Sequence, residues 1–182
     1  MRKIILNLAV SLDSYIEGPN GEYDWCIMDE DMNFPGFLDS IDTIFFGRRS
    51  YDLFTRITPQ TSSPPEELDM LAIMQAKKKY VFSHVLSSVA DPEVTVIKPP
   101  YHDRIKALQR EPGKDIWLYG GANLVTSFVN ADLIDEYQLS VHPIILGGGK
   151  PLFIDIVKRV GLKLIDTKTY RSGVVNLIYS RA

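Results

Sequence analysis

The pattern of apolar and polar positions divides most of the chain into short strands separated by short helices. Compact runs of β-branched and aromatic residues predict strands that are buried on both faces, as in a parallel sheet. These predicted strands cover residues 3–10, 43–46, 79–83, 94–98 and 115–119. Apolar positions three and four residues apart predict helices between them, at residues 34–41, 48–54, 67–78 and 102–110, with a further helix that ends at Asn130.

The last third of the chain has a different order of elements. Residues 136–145 predict a strand before the glycine cluster at 147–149, and predicted strands at 162–170 and 173–180 flank a turn and form a hairpin. We therefore expect an α/β fold, a three-layer α/β/α arrangement with a mixed, mainly parallel sheet and a C-terminal antiparallel hairpin. The proline-containing stretch at 57–66 predicts a surface loop too short to separate two cores, so residues 1–182 are expected to form a single domain.

Composition and charge narrow the classes of function. The 182 residues are 45% apolar and 24% charged, as in globular proteins, and a net charge of -3 gives no basic field for nucleic acid. No apolar stretch reaches the roughly 20 residues that a membrane helix needs. The single cysteine, Cys26, allows no intrachain disulfide, so we expect a cytoplasmic protein with neither nucleic acid nor membrane as a partner.

Two junctions of strand, glycine and helix carry the candidate chemistry. They are Gly47-Arg48-Arg49-Ser50 and Gly120-Gly121-Ala122-Asn123. A helix start offers unpaired backbone N–H groups, and glycine lets an anion approach them without a Cβ in the way, so each junction is a candidate phosphate cradle. Arg48 and Arg49 suit the extra phosphate of NADPH, with Lys98 at a strand end as a further cation. The alternatives are ordinary glycine turns and solvated surface charges.

Other nucleotide, metal and nucleophile motifs are missing from the sequence. No G-x-G-x-x-G follows the first strand, and the run at 147–150 is not a P-loop because Pro151 stands where Ser or Thr is required. We interpret that run as a flexible or substrate-facing loop. Neither a G-x-S-x-G elbow nor a histidine beside Cys26 supports nucleophilic hydrolysis. No metal is expected, because no cysteine or carboxylate lies at ligand spacing from the histidines His84, His102 and His142.

The order of these pieces resembles the dihydrofolate reductase superfamily. A strand ending near Ala9, a loop with Asp13-x-x-Ile16, the two glycine junctions and the terminal hairpin follow one another as in those enzymes. The resemblance implies an NADPH site in which Ala9 and Ile16 pack on the nicotinamide. It also implies a wider set of cofactor-binding residues made of Gly47, Arg48, Arg49, Ser50, Ser83, Lys98, Tyr119, Gly120, Gly121, Ala122 and Asn123.

The stretches SLDSYIEGPNGEYDW, IDTIFFGRRSYD and HPIILGGGKPLF resemble the small stand-alone members grouped with the RibD reductase domain. That domain, as the resemblance implies, reduces the ribosyl group of 5-amino-6-(5-phosphoribosylamino)uracil. The RibD-type arginine ahead of the second strand falls here on Leu38. The resemblance to true dihydrofolate reductases implies Asp31 as the acidic residue, and enclosure by Trp25, Phe34 and a substrate ring would suit it as the catalytic proton source. The substrate-binding residues implied are Asn7, Trp25, Phe34 and Ser140.

We therefore expect an NADPH-dependent reductase that acts on a small heterocyclic or phosphoribosyl-pyrimidine substrate. A dihydrofolate or pterin reductase, and an NADPH-binding protein without turnover, are the alternatives. Apolar residues at 151–154 and 174–178 fall in elements expected at the edge of the sheet, which predicts a homodimer that covers them. Burial of the same residues within one chain is the other explanation of their apolar character.

Overall fold

A computed structural model of the protein describes residues 1–57 and 65–182, and their side chains except those of residues 65–67. Residues 58–64, which hold most of the predicted proline-containing loop, lie outside the described residues. No helix of the described part is both long and apolar enough to cross a lipid bilayer. A short 3-10 helix covers Glu30–Met32. The other elements are β1 (Ile4–Ser11), β2 (Tyr15–Glu17), α1 (Phe34–Ser40), β3 (Ile41–Gly47), α2 (Arg48–Phe54), α3 (Pro65–Gln75), β4 (Lys78–Phe82), β5 (Val94–Ile97), α4 (His102–Arg110), β6 (Asp115–Gly120), α5 (Ala122–Asn130), β7 (Glu136–His142), β8 (Lys150–Pro151), β9 (Leu162–Thr169) and β10 (Val175–Arg181).

Eight strands form one mixed sheet in the order β5-β4-β3-β6-β1-β7-β10-β9. The pairs from β5 to β7 are parallel, whereas β10 runs antiparallel to both β7 and β9. The predicted α/β class, with a mainly parallel sheet and a terminal hairpin, is confirmed. One detail differs, because β10 lies inside the sheet and only β9 of the hairpin is an edge strand.

Two hydrophobic clusters cover the two faces of the sheet. Phe45 and Phe128 belong to the first cluster, which packs α4 and α5 on one face. Phe46 and Trp117 belong to the second cluster, which packs α1, α2 and α3 on the other face. Successive residues of a strand point to opposite faces, so the neighbours Phe45 and Phe46 join different clusters. Helices on both faces of the sheet give the predicted three layers.

The short helix α1 begins where its sequence predicts. The Asn33 side chain accepts a hydrogen bond from the Gly36 amide (3.3 Å), and Pro35 stands in the first turn, where its missing N–H costs nothing. The helix ends at Ser40, and Ile41, which the spacing predicts as its last apolar position, instead begins β3 and is fully buried. The spacing of apolar residues could not show whether Ile41 ends the helix or begins the strand, because a buried apolar residue suits either element.

The hydrophobic pattern missed a two-stranded ribbon formed by β2 and β8. Tyr15 lies opposite Pro151, and Glu17 lies opposite Lys150. The two strands have three and two residues, which is too short for a period-two pattern to show. The ribbon joins the loop after β1 to the segment that follows the glycine cluster, and it brings these distant parts of the chain together.

Candidate active site

The two glycine junctions meet at the carboxyl edge of the sheet. β3 and β6 are neighbours, and Phe46 lies opposite Gly120, so α2 and α5 begin side by side. A Cβ placed on Gly47 would lie 3.3 Å from the Gly121 nitrogen and 3.4 Å from the Gly120 oxygen. The two backbones can approach this closely because Gly47 carries no side chain.

An opening in front of Gly121 is bordered by a hydroxyl and an ammonium group. A Cβ placed on Gly121 would lie 3.1 Å from Ser50 Oγ and 3.9 Å from Lys150 Nζ. Gly121 also stands at the amino end of α5, where the first backbone N–H groups have no acceptor within the helix. Backbone amides, a hydroxyl and an ammonium are donors of the kinds that bind a phosphate or pyrophosphate group, although the ammonium is shared with the Glu17 carboxylate.

The loop after β1 is fastened to the glycine-rich segment beside this opening. The Leu152 amide donates a hydrogen bond to the Ser14 oxygen (2.9 Å), and Glu17 Oε1 lies 3.2 Å from Lys150 Nζ. Gly149 has φ +127°, and a Cβ there would lie 2.1 Å from the Glu17 oxygen, so no other residue fits. The loop and the segment therefore form one structural unit.

Asp13 adds a second tie between the same two segments. Its carboxylate accepts hydrogen bonds from Ser11 Oγ (2.6 Å), the Leu146 amide (3.1 Å) and the Gly147 amide (2.8 Å). The Ser11 hydroxyl, with the Gly147 and Leu146 amides, lowers the pKa of Asp13 below its usual range. The carboxylate is thus ionised wherever the protein works near neutral pH, and the tie is intact there.

Polar side chains lie on the sheet face that α1 covers. Asn7 Nδ2 donates a hydrogen bond to Gln138 Oε1 (2.8 Å), and Ala9, Ser140 and Asn176 lie opposite one another on β1, β7 and β10. Asn176 Oδ1 is buried and has no hydrogen-bond partner among the described residues. A buried acceptor without a donor is costly, so the N–H or O–H of a ligand is a natural partner for it. We call Asn7, Gln138, Ser140 and Asn176 the polar row.

The loop between β2 and α1 closes over one end of the polar row. Trp25 meets the His142 ring edge-on, with ring centroids 5.4 Å apart. The buried His142 lies with Nδ1 2.9 Å from the Ser140 oxygen and Nε2 3.3 Å from the Ile27 oxygen. A histidine to which the sequence assigned no role therefore anchors the loop to β7.

Aromatic side chains form a wall between α1 and β6. Phe34 and Phe37 each meet Trp117 edge-on, with centroids 5.7 and 5.3 Å apart, and Trp117 lies 5.0 Å from Tyr119. Burial raises the pKa of Tyr119, so its phenol stays protonated and can donate a hydrogen bond. An apolar wall close to a polar row suits a flat ring with a polar edge.

The family model described as the RibD C-terminal domain matches residues 2–176, almost the whole chain. The Bacillus subtilis (strain 168) proteins YyaP and YwjB are 50% and 35% identical to the chain, over 98% and 100% of its length and 94% and 99% of theirs. The chain belongs to the RibD C-terminal domain family. The resemblance predicted from its sequence motifs is thereby confirmed.

Solved structures share the fold of this RibD C-terminal domain. A putative riboflavin biosynthesis protein from Shewanella sp. PV-4 gives a TM-score of 0.82 at 24% identity, with 100% of this chain and 99% of that chain covered. A diaminohydroxyphosphoribosylaminopyrimidine deaminase/5-amino-6-(5-phosphoribosylamino)uracil reductase from Thermotoga maritima gives 0.73 at 13%, covering 100% and 57%. Dihydrofolate reductase from Enterococcus faecalis, complexed with NADP(H), gives 0.67 at 14%, covering 98% and 96%. These likenesses show that the fold is of the dihydrofolate reductase type.

Of the predicted cofactor residues of this RibD C-terminal domain, Ala9 lies beside the polar row and Tyr119 lies in the aromatic wall. The others separate into two groups. One group borders the opening: Gly47, Ser50, Gly120 and Gly121, with Ala122 and Asn123 in the first turn of α5. Ile16 lies on β2 and is packed, partly buried, against the first hydrophobic cluster. Strand ends and glycine turns are local signals, so the sequence could indicate these positions, and the structure brings them together. Their role toward a cofactor stays a prediction.

The residues of the second group are exposed to solvent or hydrogen-bonded to their own neighbours in the chain. Arg48 and Arg49 are exposed, and Arg48 Nε lies 3.6 Å from Asp52 Oδ2 in the next turn of α2. Lys98 is exposed just after β5. Ser83 is buried, and its hydroxyl accepts hydrogen bonds from two amides of the turn that follows it (3.2 and 3.1 Å). The roles of these residues toward a cofactor stay predictions.

The structure places Asp31 on the loop between β2 and α1. Asp31 lies in the 3-10 helix with an exposed side chain, and its backbone carbonyl accepts a hydrogen bond from Lys168 Nζ of β9. Trp25 and Phe34 alone do not enclose the carboxyl, because the backbone of this turn contacts the hairpin and the side chain stays exposed. The expected enclosure included a substrate ring as well and stays a prediction. The role of Asp31 as a proton source stays a prediction.

Two residues that lie at the candidate site, Lys150 and Asn176, were not predicted from the sequence. Lys150 follows the glycine cluster but belongs to no nucleotide motif, and only the β2–β8 ribbon brings it to Gly121. Asn176 lies within an apolar run, and only the register of β10 against β7 places it opposite Ser140. Neither position has a local signal in the sequence, since contacts between distant segments place both.

Metal and thiol chemistry find no support in the geometry. Within residues 1–57 and 65–182, no group of three or more His, Cys, Asp or Glu side chains is arranged to hold a metal ion. Desolvation of its sulfur and the negative charge of Asp24 raise the pKa of Cys26 to about 11, so this thiol is not a nucleophile at neutral pH.

Asp13→Asn should loosen the loop after β1. The asparagine side chain keeps one acceptor oxygen, but its Nδ2 cannot accept a second backbone N–H, so the bond to Leu146 or Gly147 is lost. Hydrogen exchange at the Leu146 amide or at the Gly147 amide should become faster at neutral pH, while Asp39→Asn at an exposed position of α1 should leave both unchanged. Unchanged exchange in Asp13→Asn would show that the backbone holds the loop without the carboxylate. In the wild type, the contribution of Asp13 should be complete above the usual pKa of about 3.9 and be lost only as the pH falls through the lowered value.

Proposed function

We propose that this RibD C-terminal domain is a cytoplasmic reductase that uses NADPH to reduce a small heterocyclic or phosphoribosyl-pyrimidine substrate. The observation that carries the proposal is the meeting of the Gly47 and Gly121 junctions, where two helix starts, a hydroxyl and an ammonium border one opening. Two proteins of the same fold support it: the Thermotoga maritima protein is by name a 5-amino-6-(5-phosphoribosylamino)uracil reductase, and the Enterococcus faecalis reductase was solved with NADP(H).

The opening fits the pyrophosphate of a dinucleotide. The space that a Cβ on Gly121 would fill lies before the first amides of α5, and Ser50 Oγ borders the same space, so an anion there could accept hydrogen bonds from both. Ala9 and Ile16 would bear on the nicotinamide, and Arg48 would contact the 2′-phosphate. When bound, NADPH supplies the hydride; the chain orients the reacting rings and excludes water.

The substrate would lie between the aromatic wall and the polar row. The unpartnered Asn176 Oδ1 favours a ring that presents N–H or O–H donors at its edge, as pyrimidines and pterins both do. Leu38, which stands where the RibD-type arginine is expected, is fully buried, so that position supplies no cation for a sugar phosphate. This observation favours pterin or folate reduction as the second candidate.

Reduction also requires one proton. We propose Asp31 as its source, directly or through water, because this carboxyl lies on the loop that closes over the polar row. Its side chain is exposed in the protein alone, so the enclosure that would adapt it for proton transfer has to come from the substrate itself.

A ligand screen followed by a turnover assay tests the proposal. Thermal unfolding is measured with NADPH, NADH, folates, pterins and phosphoribosyl-pyrimidines, since a ligand at about 100 times its Kd adds about 2.7 kcal/mol to the free energy of unfolding. Each stabilising compound is then tested for steady NADPH consumption. Stabilisation by NADPH without consumption would indicate a binding protein, and no stabilisation by either dinucleotide would overturn the proposal.

NADPH should bind more tightly than NADH. A charge-assisted contact between Arg48 and the 2′-phosphate would contribute about 1.5 to 3 kcal/mol, which corresponds to roughly tenfold or more in Kd. Arg48→Ala should erase this preference in calorimetric titrations with the two dinucleotides, whereas Arg110→Ala on α4 should retain it. Equal affinities of the wild-type protein for NADPH and NADH would contradict the assignment.

Gly121→Val should abolish NADPH binding while the domain stays folded. The backbone at Gly121 has φ -87°, which valine adopts, but the new side chain would fill the opening and meet Ser50 Oγ. Circular dichroism checks the fold and calorimetry measures binding. Gly161→Val is the matched control, because its Cβ would meet only Ala182, at 3.5 Å. A folded Gly121→Val with wild-type affinity would place the cofactor elsewhere.

We also propose a homodimer that covers the apolar surface beside β9. Of the residues that suggested it, Leu152 and Val174 are buried within the chain, whereas Phe153 is exposed. Val157 is 78% exposed in the same region, and Leu164 on β9 is 51% exposed. An apolar surface of this kind on an edge strand is commonly covered by a second copy related by a two-fold axis.

Light scattering at micromolar concentration should give twice the chain mass of 20.6 kDa. Val157→Asp places a charge on the proposed interface and should shift the protein toward the single-chain mass. Val85→Asp changes a similarly exposed valine (71%) after β4 and should not. A wild-type mass near 20.6 kDa would show that this surface remains open to solvent.

A further inference from the structure

The Glu17–Lys150 ion pair lies between the opening at Gly121 and the loop that carries Ile16. Lys150 Nζ is 3.2 Å from Glu17 Oε1 and 3.9 Å from the position of a Cβ on Gly121. The two side chains are only 28% and 30% exposed, so both charges are partly removed from water. A charge in such surroundings acts on a neighbouring ion more strongly than one on a solvated surface.

The backbone, as well as the ion pair, sets the position of Lys150. Glu17 and Lys150 lie opposite each other in the β2–β8 ribbon. The preceding residue, Gly149, packs so closely on the Glu17 backbone that no side chain would fit there. The fold therefore fixes the backbone from which Lys150 reaches the opening, and the ion pair with Glu17 holds its ammonium group there.

Lys150 has hydrogen-bonding capacity beyond its carboxylate partner. An ammonium group has three N–H donors, and a single contact with Glu17 Oε1 leaves others for a further acceptor. Of the two described side chains within 4 Å of the Cβ position on Gly121, Ser50 is neutral and Lys150 is charged. Lys150 thus supplies a full positive charge where the α5 amides supply only partial ones.

We propose that Lys150 Nζ contacts the pyrophosphate of the bound dinucleotide and that Glu17 limits this attraction through its own charge. The inference rests on the proposed NADPH site and adds to it a residue outside the predicted cofactor set. Because Glu17 follows Ile16 on β2, an anion that shares Lys150 with Glu17 also fixes the loop expected to bear on the nicotinamide.

The signs of two substitutions separate this role from a purely structural one. A pair that only fastens β2 to β8 would be broken equally by loss of either partner, and both changes would weaken NADPH binding alike. A direct contact with the anion gives opposite effects. Lys150→Met then removes an attraction, whereas Glu17→Gln removes a repulsion.

Calorimetric titration of NADPH into the full-length variants measures the difference. Lys150→Met should raise Kd about tenfold, Lys150→Arg should restore most of the affinity, and Glu17→Gln should bind as tightly as the wild type or more tightly. The Kd of Lys150→Met should also depend less on salt concentration than that of the wild type. Lys3→Met is the control, because it removes a comparable ion pair, with Glu136 (3.0 Å), at the amino edge of the sheet.

Thermal unfolding of each variant checks that the fold is kept, and Lys150→Gln replaces Lys150→Met if the latter is unstable. Equal weakening by Lys150→Met and Glu17→Gln, or an unchanged Kd in a folded Lys150 variant, would overturn the inference and leave the proposed function standing. A wild-type protein that binds no NADPH would overturn the proposed function itself, and the inference with it.

Discussion

The contact between the Gly47 and Gly121 backbones is the constraint on which the candidate site depends. Parallel pairing of β3 with β6 brings two strand ends to the same edge, and a helix begins directly after each. With a side chain at Gly47 the two turns would have to separate, and with one at Gly121 the space before α5 would be filled. The opening therefore exists because glycine occupies both crossing points, and the start of α5 supplies backbone N–H donors there.

The rest of the site is assembled around this edge by polar ties between loops. Asp13 and the β2–β8 ribbon hold the loop after β1 against the glycine-rich segment. The same ribbon places Lys150 beside the opening. On the substrate side, His142 secures the covering loop to β7, and Ser172 Oγ donates a hydrogen bond to the Asp29 carboxylate. Apolar packing adds to these ties, since Leu152 and Ile16 pack in or against the first hydrophobic cluster.

The polar side chains of the candidate site lie on one part of one face of the sheet. On β1, Leu6 and Val10 point into the first hydrophobic cluster, while Asn7 and Ala9 point to the opposite face, where the polar row lies. The apolar sides of α4 and α5 cover the first face. On the second face, the other hydrophobic cluster covers β3, β4 and β6, whereas β1, β7 and β10 carry the polar row. An unpartnered acceptor such as Asn176 Oδ1 would be a liability in a core but suits a binding site.

The local order of elements, and the two glycine junctions with them, could be predicted from the sequence, because hydrophobic periodicity and turn chemistry act over a few neighbouring residues. Hydrophobic periodicity did not predict short segments correctly. Ile41 suits a helix or a strand, and β2 and β8 are too short to show a period. The exposure of Asp31, the burial of Asn176 Oδ1 and the position of Lys150 were decided by tertiary structure alone. Each depends on contacts between segments far apart in the chain, such as Asp13 with Leu146, 133 positions away, and no local pattern records which distant segment will be the partner.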